Sequence, residues 1–534
     1  MTNNYELTID KILKTSVRNN PDQIISYQGK ESYTYEEFNE RVKKLASSLI
    51  RLGVRKGERV AVLDWDTIRY LEAYYAVPMC GAVLHTVNIR YPPELLYYTM
   101  EHAEDRYVII RDEFVPMIEK NKSMFSFVKK WIVCSETGKL PQTLENWINY
   151  DELVKESREE ILPEISEDTV ATTFYTSGTT GLPKGVTFTH RQIVLHTLCD
   201  AITFSEPPIN STSSDVLLPL VPFFHVHSWG IPYIAILKGV KYILPGRYDI
   251  PTILKIMKQE KVNVSAMVPS ILYMLISNPD SAKILSENNM KITIGGGSLT
   301  KGLAEKARAM GIETVVGYGM SESAPLLTLS TFTKKVREMD DSERTEFRIK
   351  SGIPVSLVDL RVVDRDGKDV PWDSKTMGEV IARSPWLTDG YVKDTDATER
   401  LWKDGWMHTG DLAVIDSYGY LSIVDREKDA VKSGGEFIPT LILEDLISTA
   451  PGVNEVAVIG KLDEKWGERP VAFMTVSDNF NLDSLKKHLE TYITTGRIAK
   501  FWLPDDYITV KEFARTSTVN LRNSALDSVY AKRS

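Results

Sequence analysis

Apolar positions along the chain change their spacing from segment to segment. In "TYEEFNERVKKLASSLIRLG" (34–53) they recur every three or four residues. Phe38, Val42, Leu45 and Leu49 then fall on one stripe, which predicts an amphipathic helix. Thr34 and Glu37 form a capping box at its start, and Gly53 fits its stop. "RVAVL" (59–63) follows as a continuous apolar run, the pattern of a buried strand. Similar alternation recurs downstream: a strand "NVSAMV" (263–268), the glycine-ended "KITIGGG" (291–297), a helix from about 301 to 310, and a strand "ETVV" (313–316). The fold class this predicts is α/β, with helices covering sheets.

After residue 350 the pattern changes. "DLRVVDRDGKDV" and "GEVIARS" read as short strands around tight turns, and "LAVIDSYGYLSIVDREKDAV" as two strands joined at a Gly-Tyr turn. Beyond Asp429 a compact α+β unit is expected, with strands near 455–460 and 471–476 and a helix near 483–493. The boundary falls in "DREKDAVKSGGE" (425–436), charged and then glycine-rich.

"WGIPYIAILKGVKYIL" (229–244) comes nearest to the ~18 apolar residues of a membrane helix. Lys238 and Lys241 break it, so it reads as a buried helix leading into a strand. The N-terminus lacks the pattern of a secretory signal. At 534 residues the chain exceeds one ordinary core, and its 43% hydrophobic and 26% charged content is that of a globular protein. A net charge of −9 argues against nucleic-acid binding. Cys80, Cys134 and Cys199 lie far apart, with no metal-ligand spacing, which suits a reducing cytoplasm.

The most informative stretch is "YTSGTTGLPKG" (175–185). Tyr175, Thr176, Ser177, Thr179 and Thr180 supply hydroxyls, Gly178, Gly181 and Gly185 free backbone N–H groups, and Lys184 adds a mobile cation. Such donors suit a polyphosphate. The spacing differs from the usual P-loop, and a surface turn would share the composition. "GYGMSES" (317–323) follows a predicted strand, where α/β proteins place ligands. There Tyr318 can stack on a base and Glu322 can hold magnesium. In "MHTGDLA" (407–413), Asp411 can accept from ribose hydroxyls, and Arg426 follows fifteen residues later.

Taken together and in order, "YTSGTTGLPKGV", "VPFFHVHSWG", "GYGMSES", "HTGDLAVID", "DREKDAVKSGGEFI" and "EKWGERP" resemble the acyl-adenylate-forming enzymes, of the fatty-acyl-CoA ligase type. The resemblance runs from about residue 10 to the end. It implies a large N-terminal domain (1–427), a mobile C-terminal lid (428–534) pivoting near Lys428, and an active site between them. It also implies a two-step reaction: a carboxylate attacks the α-phosphate of Mg-ATP to give acyl-AMP and pyrophosphate, then coenzyme A takes the acyl group. By matching position, Thr176, Ser177, Gly178, Thr179, Thr180 and Lys184 hold phosphates. Glu322 binds the metal, with Thr176 beside it. Tyr318 and Gly319 flank adenine, and Asp411 and Arg426 hold ribose. Gly295, Gly296 and Gly297 let backbone pass close to adenine and the acyl group. His225 stands by the reacting carboxylate, and Trp229 lines or gates an acyl tunnel. Lys432, Gly434 and Gly435 approach the thioester site. His225 and His227 have no further ligands with which to form a metal site. Trp229, four residues beyond His225, shares its side if the segment is helical.

One departure stands out. In "ARTSTVNLRNSAL" (514–526) Asn520 occupies the position of the lysine that, by the resemblance, bridges the α-phosphate and the acyl carboxylate. Losing one preorganised donor typically costs ~2.7–4 kcal/mol, a rate factor of ~10²–10³. Adenylation is therefore expected to be slow and thioester formation less affected. The expected substrate is a medium- or long-chain fatty acid, with aryl and short branched acids as alternatives. A non-catalytic ATP-binding relative, or a kinase using the same loop, are rival readings; a kinase would release ADP. By resemblance a homodimer is possible.

Overall fold

The computed structural model describes residues 5–155, 157, 160–176, 182–427, 430–433, 436–463, 465–495, 498–511 and 513. Among these residues four sheets form the frame. A seven-stranded sheet runs in the order Trp147–Asn149, Lys130–Cys134, Asp105–Arg111, Arg59–Leu63, Val83–Thr86, Val170–Thr176, Lys184–Thr189. Its strands are parallel except for the last pair. A nine-stranded sheet has Val264–Met267, Lys291–Ile294 and Glu313–Gly319 parallel near its middle. Their C-terminal ends therefore share one edge, and Gly295–Gly297 and Met320–Ser323 leave from that edge.

Local chemistry explains the elements. Thr34 caps the helix Tyr35–Arg51, and both capping-box bonds to Glu37 are made. Phe38, Val42, Leu45 and Leu49 are each fully buried, as the stripe predicts. The apolar strands are covered on both faces, the usual requirement of parallel sheets. The segment 229–244 gives a buried helix Ile231–Lys238 and a strand Lys241–Leu244, in agreement with its reading as a core segment. No helix among the described residues is long and apolar enough to cross a membrane.

Some boundaries differ from expectation. The strand expected at 313–316 extends to Gly319, because 317–319 turn to pair antiparallel with Leu326–Leu329. The strands expected near 455–460 and 471–476 are one long hairpin, Val453–Asp463 and Gly467–Val476, zipped as far as Asp463 opposite Gly467. The helices lie at Lys301–Ala309 and Leu482–Thr494.

A third sheet carries the hairpin Trp406–Ile415 and Leu421–Arg426. The fourth contains Val431–Ser433, Glu436–Ile438, the long hairpin and Asp506–Thr509. It has its own core, including Val431, Leu443, Ile447, Val458, Met474 and Leu489. Asp425 ties the third sheet to the helix Thr440–Ser448 of the C-terminal unit: its Oδ2 accepts from both the backbone N and the hydroxyl of Thr440 at 2.8 Å. Asp445 Oδ1 accepts from the backbone N of Lys301 at 3.1 Å, joining the C-terminal unit to the nine-stranded sheet's helices.

Candidate active site

Two polar chains meet at the edge where the parallel strands end. In the first, Tyr318 Oη donates to Asp411 Oδ2 at 2.8 Å, and Arg426 Nε lies 3.2 Å from Asp411 Oδ1. The hairpin explains the pair, since Asp411 and Arg426 are directly opposite in its antiparallel register. Asp411 is buried, and the Arg426 side chain is 43% exposed, so one face of the pair is open. Tyr318 comes from the nine-stranded sheet and so links that sheet to the third.

The second chain holds Glu322, Tyr391, Lys184 and Asp394. Tyr391 Oη donates to Glu322 Oε1. Lys184 Nζ lies 4.8 Å from the centre of the Tyr391 ring and 3.6 Å from Asp394 Oδ2. Glu322 is 6% exposed. Burial pushes its carboxyl above the usual range, opposed by the Tyr391 hydroxyl and the Arg426 charge, with Asp411 adding to the rise. Arg426 and Asp411 thus act electrostatically on Glu322, which places the two chains side by side. A buried carboxylate is a hard oxygen donor that a cation would stabilise, and this fits magnesium.

Thr176 ends its strand opposite Lys184 in the register. Just behind it, Tyr175 Oη hydrogen-bonds His102 Nδ1 at 2.7 Å. Ser177, Gly178, Thr179 and Thr180 lie outside the described residues.

Among the glycines the structure separates different roles. A Cβ on Gly295 would fall 2.9 Å from Trp229 Cη2, so the indole lies flat against that backbone. Gly296 has φ +70°, and a Cβ on Gly297 would make only ordinary contacts, at 3.6 Å from Pro269. A Cβ on Gly319 would sit 1.8 Å from the Pro325 carbonyl oxygen, so backbone packing alone demands glycine there.

The expectation that Trp229 shares a helical side with His225 fails. Val226, His227, Ser228, Trp229 and Gly230 all have positive φ, between +47° and +75°, forming a left-handed turn. Ser228 Oγ donates to the Val221 carbonyl at 2.6 Å, and the Ser228 N–H donates to the His225 carbonyl at 2.9 Å. Asp66 Oδ1 accepts from the Phe223 N–H at 2.8 Å and holds the segment's entry. His227 is fully buried among aromatic rings, with Phe174 edge-on at 4.7 Å, and burial brings its imidazole down to about 3. His225 is half-buried at its surface, yet the protein around its ring holds it down to about 4, with the nearby Arg90 charge contributing. It is therefore a neutral hydrogen-bonding group at pH 7.

Lys432 stands on the strand Val431–Ser433 of the fourth sheet. Its N–H donates to Glu468 Oε2 at 2.8 Å, and its Nζ lies 5.3 Å from the Phe437 ring centre. Lys428, Gly434, Gly435 and Asn520 lie outside the described residues.

Sequence reasoning missed Tyr391, Asp394 and Asp66. The available signal was Asp394 as an N-cap in "YVKDTDAT"; nothing local marks Tyr391 or Asp66.

The fold and the two polar chains define a nucleotide-handling α/β enzyme. The profile of the AMP-binding enzyme family matches residues 13–392, and that of the AMP-binding enzyme C-terminal domain matches 443–519. The chain belongs to the AMP-binding enzyme family. It is 36% identical over 503 residues to a long-chain-fatty-acid–CoA ligase of Thermus thermophilus, covering 93% of this chain and 90% of that one. It is 33% identical over 500 residues to a medium-chain-fatty-acid–CoA ligase of Ectopseudomonas oleovorans, again covering 93% and 90%. Among solved structures, an anthranilate CoA ligase in complex with anthranoyl-AMP shares the fold with a TM-score of 0.85 at 21% identity, covering 99% of this chain and 98% of that one.

Proposed function

We propose that this ATP-dependent acid–CoA ligase activates a medium- or long-chain fatty acid, and that its two half-reactions are unequally fast. The observation that carries the ligase reading is the pairing of the Tyr318–Asp411–Arg426 chain with the Glu322–Tyr391–Lys184 chain at one sheet edge. The long-chain and medium-chain fatty-acid–CoA ligases at 36% and 33% identity support the fatty-acid substrate class. The apolar face of Trp229 against Gly295 gives an acyl chain something to lie on.

Each residue has a physical task under this reading. Asp411 accepts from ribose hydroxyls while Tyr318 and Arg426 hold its carboxylate. Lys184 and the donors of the phosphate loop, Thr176 to Thr180, neutralise the triphosphate, so that an anionic carboxylate can approach. Neutral His225 donates or accepts at the acid without adding charge. Glu322, with the Thr176 hydroxyl near the loop's root, would hold magnesium, which supplies further charge neutralisation on the phosphates when bound. Gly296 and Gly297 leave room for adenine, and Lys432, Gly434 and Gly435 serve coenzyme A after the lid pivots near Lys428. The domain division 1–427 and 428–534 and a homodimer belong to the same proposal. So does a cytoplasmic location, which is supported by three free, buried cysteines.

Asn520 in place of a cation slows the adenylation step specifically. The test is one incubation of protein with Mg-ATP, coenzyme A and a pooled panel of carboxylic acids, read by mass spectrometry. Acyl-CoA with AMP is expected at a low rate, and synthetic acyl-AMP should raise thioester formation sharply. ADP as product, or no thioester from acyl-AMP, would overturn the reading.

A further inference from the structure

The loop 388–394 supplies two members of the second polar chain, Tyr391 and Asp394, and its backbone is fastened beside the other two, Glu322 and Lys184. Thr388 N donates to the carbonyl of Glu322 at 2.9 Å, and Val392 N donates to the carbonyl of Gly185 at 2.8 Å. One loop therefore takes its register from the carboxylate residue itself and from the residue next to Lys184. Tyr391 N donates to Thr398 Oγ1 at 2.9 Å, and Asp394 caps the following helix through Ala397 N at 2.9 Å. A Cβ on Gly390 would fall 2.3 Å from the Thr398 methyl carbon, so the loop closes onto that helix without slack. Lys393 Nζ adds an outer brace, 2.7 Å from Glu104 Oε1 and 3.0 Å from the His102 carbonyl. The backbone bonds alone would fix the loop. Two of its side chains, Tyr391 and Asp394, also reach Glu322 and Lys184.

We propose that Tyr391 is a positioning residue for adenylation: its hydroxyl orients Glu322 for the metal, and its ring, with Asp394, holds Lys184 beside that carboxylate until the ATP phosphates draw it away. The inference rests on the pocket being a Mg-ATP site. Geometry separates the two tasks. The hydroxyl alone reaches Glu322, whereas the ring face alone meets Lys184. Tyr391→Phe therefore removes the first task and keeps the second. Asp394 competes with phosphate for the Lys184 charge, and Asp394→Asn removes that competition while keeping the helix cap, since asparagine caps as well as aspartate.

The test is calorimetric titration of the full chain with ATP, once in magnesium and once in EDTA, so that turnover is not needed. Wild type should bind ATP more tightly in magnesium. Tyr391→Phe should weaken ATP binding in magnesium at least fivefold and change binding in EDTA less than twofold. Asp394→Asn should tighten binding in EDTA at least threefold, a gain that structural damage would not produce. Equal weakening of Tyr391→Phe in both buffers, or no weakening, overturns the hydroxyl's role. Unchanged or weaker binding by Asp394→Asn overturns the Lys184 role, and this arm decides should Tyr391→Phe not fold. Glu322→Gln serves as the reference and should lose the preference for magnesium. If it keeps that preference, or if wild type binds no ATP, the reading of the pocket fails, and the Tyr391 inference with it.

Discussion

Replacing Asp66 with asparagine should remove a loss of stability that the wild type suffers as pH rises from about 4 to 7. Asp66 is 2% exposed; its Oδ1 accepts from Phe223 N and its Oδ2 from Tyr248 Oη, each at 2.8 Å. Burial is the largest influence on its carboxyl and lifts it to about 7; the two hydrogen bonds and Arg90 oppose the rise, and Asp64 adds to it. In the unfolded chain the same group titrates near ~3.9. Between roughly pH 4 and pH 7 the folded state therefore keeps a proton that the unfolded state has lost, and stability falls as pH rises through that window. A rise of about three units corresponds to ~4 kcal/mol at 1.36 kcal/mol per unit. Asparagine cannot ionise and can still accept from Phe223 N. The unfolding free energy of Asp66→Asn minus that of wild type should thus climb by ~4 kcal/mol from pH 4 to pH 8 and level off above 7. Any change in the bond to Tyr248 enters as an offset independent of pH. Asp64, itself raised to about 6 by burial, titrates in both proteins; its repulsion of Asp66 is already part of the rise to about 7, and only its own titration drops out of the difference. Urea unfolding followed by tryptophan emission, at unit pH steps, measures it. A difference that stays flat from pH 4 to pH 8 would refute the reasoning, because Asp66 would then ionise in the fold at no cost.

Three further outcomes are expected. Asn520→Lys should raise acid-dependent pyrophosphate release by ~10²–10³ and leave thioester formation from synthetic acyl-AMP within twofold; an unchanged first step would refute it. Gly295→Ala, whose Cβ would lie 2.9 Å from the Trp229 indole, overpacks that contact by ~1–3 kcal/mol. It should raise the KM for the acid severalfold and shift the tryptophan emission; an unchanged KM and spectrum would show that the indole moves freely. Gly319→Ala should lower the urea midpoint markedly or abolish soluble expression, because its Cβ would collide with the Pro325 carbonyl 1.8 Å away.

Where the determinants of structure are local, the sequence discloses them. The capping box and apolar stripe of 34–53 become the helix Tyr35–Arg51 with every stripe residue buried. The Gly-Tyr turn between 412 and 426 sets the hairpin's register as far as Ala413 opposite Ile423; a bulge beyond it, which the sequence does not announce, shifts the pairing by one residue and brings Asp411 opposite Arg426. Long-range determinants stay hidden. Tyr391 reaches Glu322 only because Val392 and Thr388 bond to distant strands and turns, and no spacing within "TDGYVKD" encodes that. The turn at 226–229 defeats helical reasoning for another cause: its residues are not the glycine or asparagine that announce positive φ, so the conformation is imposed by neighbours such as Asp66 and the cage around His227.

That left-handed turn sets a direction for anyone who would redesign this protein. Four consecutive side-chain-bearing residues there hold a conformation that disfavours each by ~1–2 kcal/mol, a sum comparable to the net stability of a whole domain. Glycine at Ser228 would relieve part of that tension and lose one buried hydrogen bond, whereas glycine at His227 would leave a cavity in the aromatic cage, so a screen for heat resistance would favour the Ser228 exchange over the His227 one. The same exchange would slacken the backbone that presents Trp229 and His225. The most robust variants from such a screen should be the ones that discriminate least among acids.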